Sequence, residues 1–517
     1  MIVSSRTSEI DGFLLTITGG TAGGVLPTRR ILRAMAPPVD PADQTDLTDL
    51  TELTDPTELT DPAELTDPAA VLAAGQRTYE LDRAHVFHSW SAQALLKPMV
   101  VSRAEGVHIW DHEGRRYLDF SSQLVNVNIG HQHPKVVAAI QEQAGRLATI
   151  APQHANDVRS EAARLIAELA PGDLTKVFFT NGGADAIENA VRMARLHTGR
   201  HKVLTTYRSY HGNTTTAIQM TGDPRRWAND GGATGVVHFF GPYAYRSPFW
   251  SDSVEQECER ALEHLEQIVA FEGPQTIAAL VLESIPGTAG ILVPPDGYLA
   301  GVRDICDRHG IVYIADEVMA GFGRAGEWFA VDKWSVTPDL ITFAKGSNSG
   351  YVPLGGVIIS DRIAATFAER VFPGGLTYSG HPLACAAAVA SINAMRDEGI
   401  VDNARRIGQD VLGPGLRELA DRHLSIGEVR GLGVFWALDL VRDRETREML
   451  VPYNASGEAN KPMADLMAAC KQRGLVAFAN FNRLHVVPPC TITDEEAKEG
   501  LAILDEALAT ADAFGAG

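Results

Sequence analysis

Short apolar runs punctuate the chain from residue 176 onward: "KVFFT" (176–180), "HKVLTTY" (201–207), "TIAALVLES" (276–284), "GIVYIADEV" (310–318), "LITFAK" (340–345) and "LGGVIIS" (354–360). Each has the length of a buried strand. Most of the stretches between them carry apolar residues at helical spacing. "NGGADAIENAVRMAR", for one, puts Ile187, Ala190, Val191 and Ala194 on a single face. Buried strands alternating with amphipathic helices predict an α/β fold, its mainly parallel sheet covered by helices on both faces.

The flanks read differently. "VHIWDHEGRRYLDF" predicts a hairpin with Glu113 and Gly114 in its turn. "HPKVVAAIQEQAGRL" predicts a helix with Pro134 in its first turn and Val136, Val137, Ile140, Ala144 and Leu147 on its apolar face. The C-terminal third mixes strands ("GEVRGLGVFWALDLV", "RLHVVPP") with helices, as a smaller α+β lobe does. Thr45 to Pro68 repeats a T-[DE]-[LP] triplet, a period that fits neither helix nor strand, with recurring prolines. Residues 1–70 are therefore expected to be a disordered acidic extension, with folding beginning near Val71.

Composition narrows the function classes. The net charge of -20 disfavours nucleic acid and anionic membranes, although ten acids between Asp40 and Asp67, with no Lys or Arg among them, supply much of it. Five scattered cysteines without a C-x-x-C argue against a disulfide framework or structural zinc. No apolar run approaches the roughly 18 residues of a membrane span. The glycine-rich "GFLLTITGGTAGGVL" has its arginines after it, the wrong order for a secretory signal. A cytoplasmic protein is expected.

In an open α/β sheet, ligands bind where the strands end. After "KVFFT", the turn Asn181, Gly182, Gly183 opens a helix, whose free amides and dipole can hold an anion; an ordinary strand–helix turn has the same look. After "HKVLTTY" come Tyr210, His211 and Gly212, and the tyrosine could stack on a flat ligand or fill the core. Glu283 and Asp316 terminate two buried runs, and such carboxylates are costly unless partnered. Lys345 ends another run 29 residues beyond Asp316, so it points into the same crevice, where burial makes an amine reactive. Anion cradle, stacking aromatic, buried acid and buried amine together match what pyridoxal 5'-phosphate needs. Gly321, Gly323 and Gly326 have G-x-G-x-x-G spacing, but "DEVMA" separates them from the strand and no clear helix follows. A dinucleotide turn is therefore rejected.

With these residues in place, the chain from about His85 onward resembles the class III, or ω-, aminotransferases of fold type I. The matching stretches include "DFSSQLVNVNIGHQHP", "FFTNGGADAIENA", "SYHG", "VLESIPGTAGILVPPDGYL", "IADEVMAGFGRAGEWFA", "DLITFAKG", "LTYSGHPLACAAA" and "VPPCTIT". The resemblance implies a catalytic set of Lys345, Asp316 and Tyr210. Lys345 is the lysine that carries the cofactor, Asp316 the partner of its ring nitrogen, and Tyr210 the stacking ring. Gly183 and Ala184 supply phosphate-binding amides, and Gly182, His211, Glu283 and Val318 complete the cofactor site. It places Thr377 at the phosphate of the neighbouring subunit, implying a homodimer with shared active sites, or a tetramer of such dimers. It also implies a large cofactor-binding domain over 131–385 and a small domain from 71–130 and 386–517.

Two departures stand out. Gly182, Gly183, Ala184 and Asp185 replace a "SGS-E" pattern, which removes a hydroxyl from the phosphate site and keeps the backbone donors. His485 stands where several relatives carry the arginine that holds a substrate carboxylate. Phe478 stands where other ω-aminotransferases have theirs. Arg483, with His485 beside it on one strand face, is the expected holder of the substrate acid; an exposed arginine on an edge strand is the alternative. Trp90 and Gln123 are expected to line the substrate pocket by analogy, with core packing the alternative for Trp90. The pattern is closest to taurine or similar ω-amino acid transaminases, with an amino donor and a 2-oxo-acid acceptor. Decarboxylation, racemisation or an aminomutase reaction on the same cofactor, or a non-catalytic regulator, are the alternatives.

Overall fold

The computed structural model describes residues 68–229, 231–232 and 234–515. Apart from its last three residues, the acidic extension expected over 1–70 lies outside the described residues. A helix, Pro68–His85, opens the described chain.

Three sheets organise it. The first begins with β1 (Val101–Glu105), β2 (His108–Asp111) and β3 (Arg116–Asp119), paired antiparallel in that order. Gly114, in the predicted turn between β2 and β3, takes a φ of 79° that a side chain would resist.

The second sheet has seven strands: β4 (Leu174–Thr180), β5 (Lys202–Thr206), β6 (Val236–Phe239), β7 (Ile277–Glu283), β8 (Val312–Asp316), β9 (Leu340–Phe343) and β10 (Gly355–Ser360). Their spatial order is β4-β10-β9-β8-β7-β5-β6. β5 to β9 pair in parallel, whereas β10 is antiparallel to both β9 and β4. The reversal follows from the connection: a loop leads from β9 to β10, and a parallel return needs a crossover helix. β7, β8 and β9 are buried at every position, which is why they read as unbroken apolar runs. Val312 and Ile314 of β8 face a cluster with Ile187, Ala190, Val191 and Ala194 of the helix Gly183–Thr198. Tyr313 and Ala315 face the larger core on the opposite side.

The predicted helix around Val136 spans Pro134–Arg146, but its buried positions are Val136 and Gln143, and Ala144 is exposed. Gln143 tolerates burial because its side-chain amide bonds the carbonyl of Leu147 at 2.8 Å.

The third sheet runs β11 (Ile426–Leu432), β12 (Phe435–Asp443), β16 (Arg483–Val486), β15 (Phe478–Asn480), with β13 (Glu448–Met449) on β12. β14 (Leu475–Val476) instead pairs in parallel with β3, tying the C-terminal segment to the first hairpin. Among the described residues no helix is long and apolar enough to cross a membrane.

Candidate active site

Register brings the polar strand ends to one edge of the central sheet. Glu283 of β7 lies opposite Asp316 of β8, and Asp316 opposite Thr342 of β9. β10 runs the other way, so its first residue, Gly355, meets Thr180 at the end of β4. Two chambers open above this edge, of ≈ 480 Å³ and ≈ 620 Å³. They share Trp90, Leu124, Tyr210, Thr288, Met319 and Lys345 as walls.

The smaller, inner chamber holds the carboxylate of Asp316, 4% exposed. Its Oδ2 faces Nδ1 of His211 at 2.7 Å, and its Oδ1 accepts from the amide of Val318 at 3.1 Å and the hydroxyl of Thr342 at 3.4 Å. The other ring nitrogen of His211 lies 3.1 Å from the hydroxyl of Thr205. Burial opposes a charge on His211, but the hydrogen bond to Asp316 and the nearby carboxylates outweigh it and raise its pKa above 6.5. Glu283 has a different task. Its two oxygens accept the amides of Tyr210 and Gly287, both at 2.8 Å, which fixes the loop carrying the aromatic ring. Burial raises its pKa.

Lys345 is separated from the end of β9 by Ala344 alone, with a backbone φ of 33°. That strained conformation costs a side-chain-bearing residue on the order of 1–3 kcal/mol and here turns the side chain into both chambers. Its amine has no hydrogen-bond partner among the described residues. Burial lowers its pKa from 10.5 against the pull of Asp316 and Glu283, and Arg225 and Arg324 lower it further.

Gly183 starts the helix that follows β4, and nothing among the described residues accepts from the amides of Gly183 and Ala184. Two close approaches shape this corner. A Cβ on Gly355 would lie 2.6 Å from the carbonyl of Gly182, and one on Gly183 would lie 2.9 Å from the side chain of Val318. Tyr210 lines both chambers, so core filling does not describe it, and the guanidinium of Arg225 lies 3.7 Å from its ring centre.

These groups suit pyridoxal 5'-phosphate: free helix-start amides for its phosphate, an aromatic wall for its ring, an oriented carboxylate for its ring nitrogen and an enclosed, unpartnered amine for its aldehyde.

Of Thr377, Gln123, Trp90, Arg483 and His485, Trp90 alone lines the chambers. Thr377 is exposed and lines neither chamber. Gln123 lines neither and donates to Asp119 at 2.9 Å. Trp90 lines both and is 66% exposed, so it is not a core residue. Arg483 is 7% exposed on a strand inside its sheet, which corrects the reading of an exposed edge arginine. His485 is also corrected. It is buried, lines neither chamber, bonds the carbonyl of Gly287 at 3.2 Å, and is pushed down to about 3 by burial and by Arg483. A neutral imidazole held by a carbonyl offers no charge to an acid.

Three features were not anticipated. One is Arg225 with its partner Asp223, in "GDPRRW". Another is Arg324, fully buried in the "GFGRAG" loop. Its Nη1 donates to the carbonyl of Pro488, and its Nη2 to Asn128 at 2.8 Å and Ser122 at 3.1 Å. The glycines around it, Gly323 and Gly326 with φ of 88° and 83°, let this loop fold around a structural latch. The third is Glu317, raised to about 7 by burial and bonded to Ser284 and to the amides of Ala330 and Val331. Nothing in an isolated charged residue marks it as buried.

Comparison with known proteins completes the picture. Residues 90–508 match the family model of Aminotransferase class-III. The chain is 35% identical over 424 residues to the 5-aminovalerate aminotransferase of Pseudomonas aeruginosa, covering 80% of this chain and 93% of that protein. It is 36% identical to a leucine/methionine racemase of Thermococcus litoralis, over 80% of this chain and 91% of that one. Among solved structures, the taurine:2-oxoglutarate aminotransferase of Bifidobacterium kashiwanohense, in complex with PLP and glutamate, matches with a TM-score of 0.82 at 41% identity, over 85% of this chain and 98% of that one. The chain belongs to the class III aminotransferases, enzymes of fold type I that work with pyridoxal 5'-phosphate.

Proposed function

We propose that this aminotransferase takes its amino group from an ω-amino acid or amine, a taurine-like donor first among them, and passes it to a 2-oxo-acid in two half-reactions. The observation that carries this reading is the meeting of an unpartnered amine, Lys345, and a carboxylate oriented by histidine, Asp316, in one chamber beside a helix start. The names of the relatives that act on 5-aminovalerate and taurine support the donor class.

When bound, the cofactor supplies an electron-poor ring that accepts the charge left as a proton departs from the donor's amine-bearing carbon. The chain's own groups do the rest. Lys345 Nζ, its proton affinity lowered by burial, would take that proton from the donor's carbon and pass it on within the first half-reaction, and would deliver a proton to the corresponding carbon of the acceptor in the second. Asp316 holds the proton on the ring nitrogen, and His211 keeps the carboxylate aimed. Tyr210 walls the ring, Val318 packs against the helix start, and the amides of Gly183 and Ala184 hold the phosphate. Thr377, exposed and outside its own chambers, serves the neighbouring subunit of a homodimer. Five free cysteines fit a reducing cytoplasm.

The racemase relative gives weight to a second reading, inversion of an amino acid without transfer. One assay separates the two. Donors such as taurine and 5-aminovalerate are incubated with pyruvate or 2-oxoglutarate. Transfer yields the acceptor's amino acid only when the acceptor is present, whereas racemisation inverts the amino acid with no acceptor at all.

A further inference from the structure

Away from both chambers, another cavity of ≈ 250 Å³ lies between the segment after β8 and the third sheet. Ala325, Glu327 and Lys333 line it from that segment, Gly433 and Trp436 from the sheet. The helices Ile400–Ile407 and Gly413–Arg422 supply Arg405 and Arg417. Between them the chain makes a wide π-type turn, Gly408–Leu412, which adds Gln409. Such turns are rare and gather at functional sites. This one needs its glycine. A Cβ on Gly408 would strike the carbonyl of Gly433, where the turn rests on the hairpin joining β11 to β12.

The lining holds donors without acceptors. Glu327 is its one acid, and Arg405 has taken it at 3.0 Å while also pairing with Asp402 at 2.7 Å. Lys333 and Arg417 form no ion pair and no hydrogen bond among the described residues. The acids beside them are turned elsewhere, Asp332 to the amide of Phe329 at 3.1 Å and Glu418 to Arg422 at 3.7 Å. The carboxamide of Gln409 has no partner among the described residues. Nor do the amides of Ala325 and Gly433, both of them buried residues. Trp436 already spends its indole N–H on the carbonyl of Gly433 at 2.6 Å. It therefore offers only its apolar ring, with the guanidinium of Arg417 5.9 Å from the ring centre. Two surplus cations and free main-chain amides around one hollow suit a ligand made of acceptors. The hollow is smaller than the roughly 300–1,000 Å³ of pockets for drug-sized ligands, so that ligand is compact.

We propose that this cavity binds a diphosphate group, either the free ion or the end of a nucleotide. Lys333 and Arg417 neutralise its two phosphoryl ends, and the amides of Ala325 and Gly433 bond the oxygens between them. The inference is independent of the donor reading, since none of these residues lines either chamber. A diphosphate held here ties the third sheet to the segment that also brings Val318 and Met319 to the inner chamber.

The test is calorimetric titration of the full-length, cofactor-loaded enzyme with pyrophosphate, adenosine diphosphate and sulfate, free of divalent cations. Wild type is compared with the double variant Lys333→Gln, Arg417→Gln. Both side chains are exposed, so the fold should survive, and an unchanged thermal midpoint without ligand checks that it does. Wild type is expected to take up one pyrophosphate per chain, with a thermal midpoint that rises as pyrophosphate is added. The double variant should weaken that binding by roughly 100-fold or more, since two charge-assisted contacts are lost. Added salt should weaken it in wild type as well. Sulfate, with a single tetrahedral head, should bind far more weakly than pyrophosphate. Adenosine diphosphate binding as tightly as pyrophosphate assigns the site to a nucleotide's diphosphate end. Pyrophosphate binding without it assigns the site to the free ion. The proposal is overturned if wild type binds neither diphosphate, if the double variant binds as well as wild type, or if sulfate matches pyrophosphate.

Discussion

His211 and Asp316 meet at 2.7 Å inside the protein, both buried, with the imidazole's other nitrogen against Thr205. The pair couples the aim of a catalytic carboxylate to a titratable ring. In the unfolded chain His211 has its ordinary pKa of 6.5, and in the folded chain the value is raised. Its stabilisation is therefore complete below about pH 6.5 and fades as pH rises through the folded value. Denaturation of wild type and His211→Asn across about pH 5.5 to about pH 9 should show a stability gap that is widest at the acid end. A gap that widens with pH contradicts this account.

Lys345→Ala is expected to remove turnover by about 10²-fold at the least, because no other amine lines the inner chamber to carry the proton. The fold should persist. The side chain makes no hydrogen bond among the described residues, and its removal relieves an enclosed amine. Circular dichroism and the thermal midpoint check the fold, and product formation checks the loss.

The lowered pKa of Lys345 predicts how the stripped protein takes up its cofactor. Only the neutral amine attacks an aldehyde, and burial makes it available at lower pH than an ordinary lysine of pKa 10.5. Loading rates measured against pH should rise through a midpoint below that value. A midpoint at or above it would mean that Lys345 is solvated as a surface lysine is.

Gly355→Ala probes the phosphate corner. The new methyl would lie 2.6 Å from the backbone of Gly182, which has no flexible end to move aside. The expected cost is roughly 1–3 kcal/mol of stability, together with weaker cofactor binding as the helix start shifts. Chemical denaturation and an absorbance titration of the cofactor read the two effects separately.

Much of this was legible in the sequence because the strands at the site are buried on both faces and so read as unbroken apolar runs. Asp316 and Lys345 stand out as charges placed where those runs stop. The reversal of β10 was hidden, since direction depends on the connecting loop and not on the apolar pattern of "LGGVIIS". Arg483 and His485 were legible as strand neighbours, but two residues on one face do not say what that face packs against. Here it is the loop at Gly287 and Gly290, not the chamber. Arg225 was missed for a related reason. Its position over Tyr210 joins a loop to the short helical turn Pro224–Asn229, 15 residues on, a contact that no periodicity encodes.

The central claim is that the amine of Lys345 carries pyridoxal 5'-phosphate opposite the carboxylate of Asp316. Borohydride treatment of the loaded enzyme, followed by proteolysis and mass spectrometry of the peptides, addresses it most directly. The account predicts that the cofactor's mass is fixed on the peptide containing "LITFAKG", at Lys345 and nowhere else. Cofactor fixed on another lysine, or on none, contradicts it.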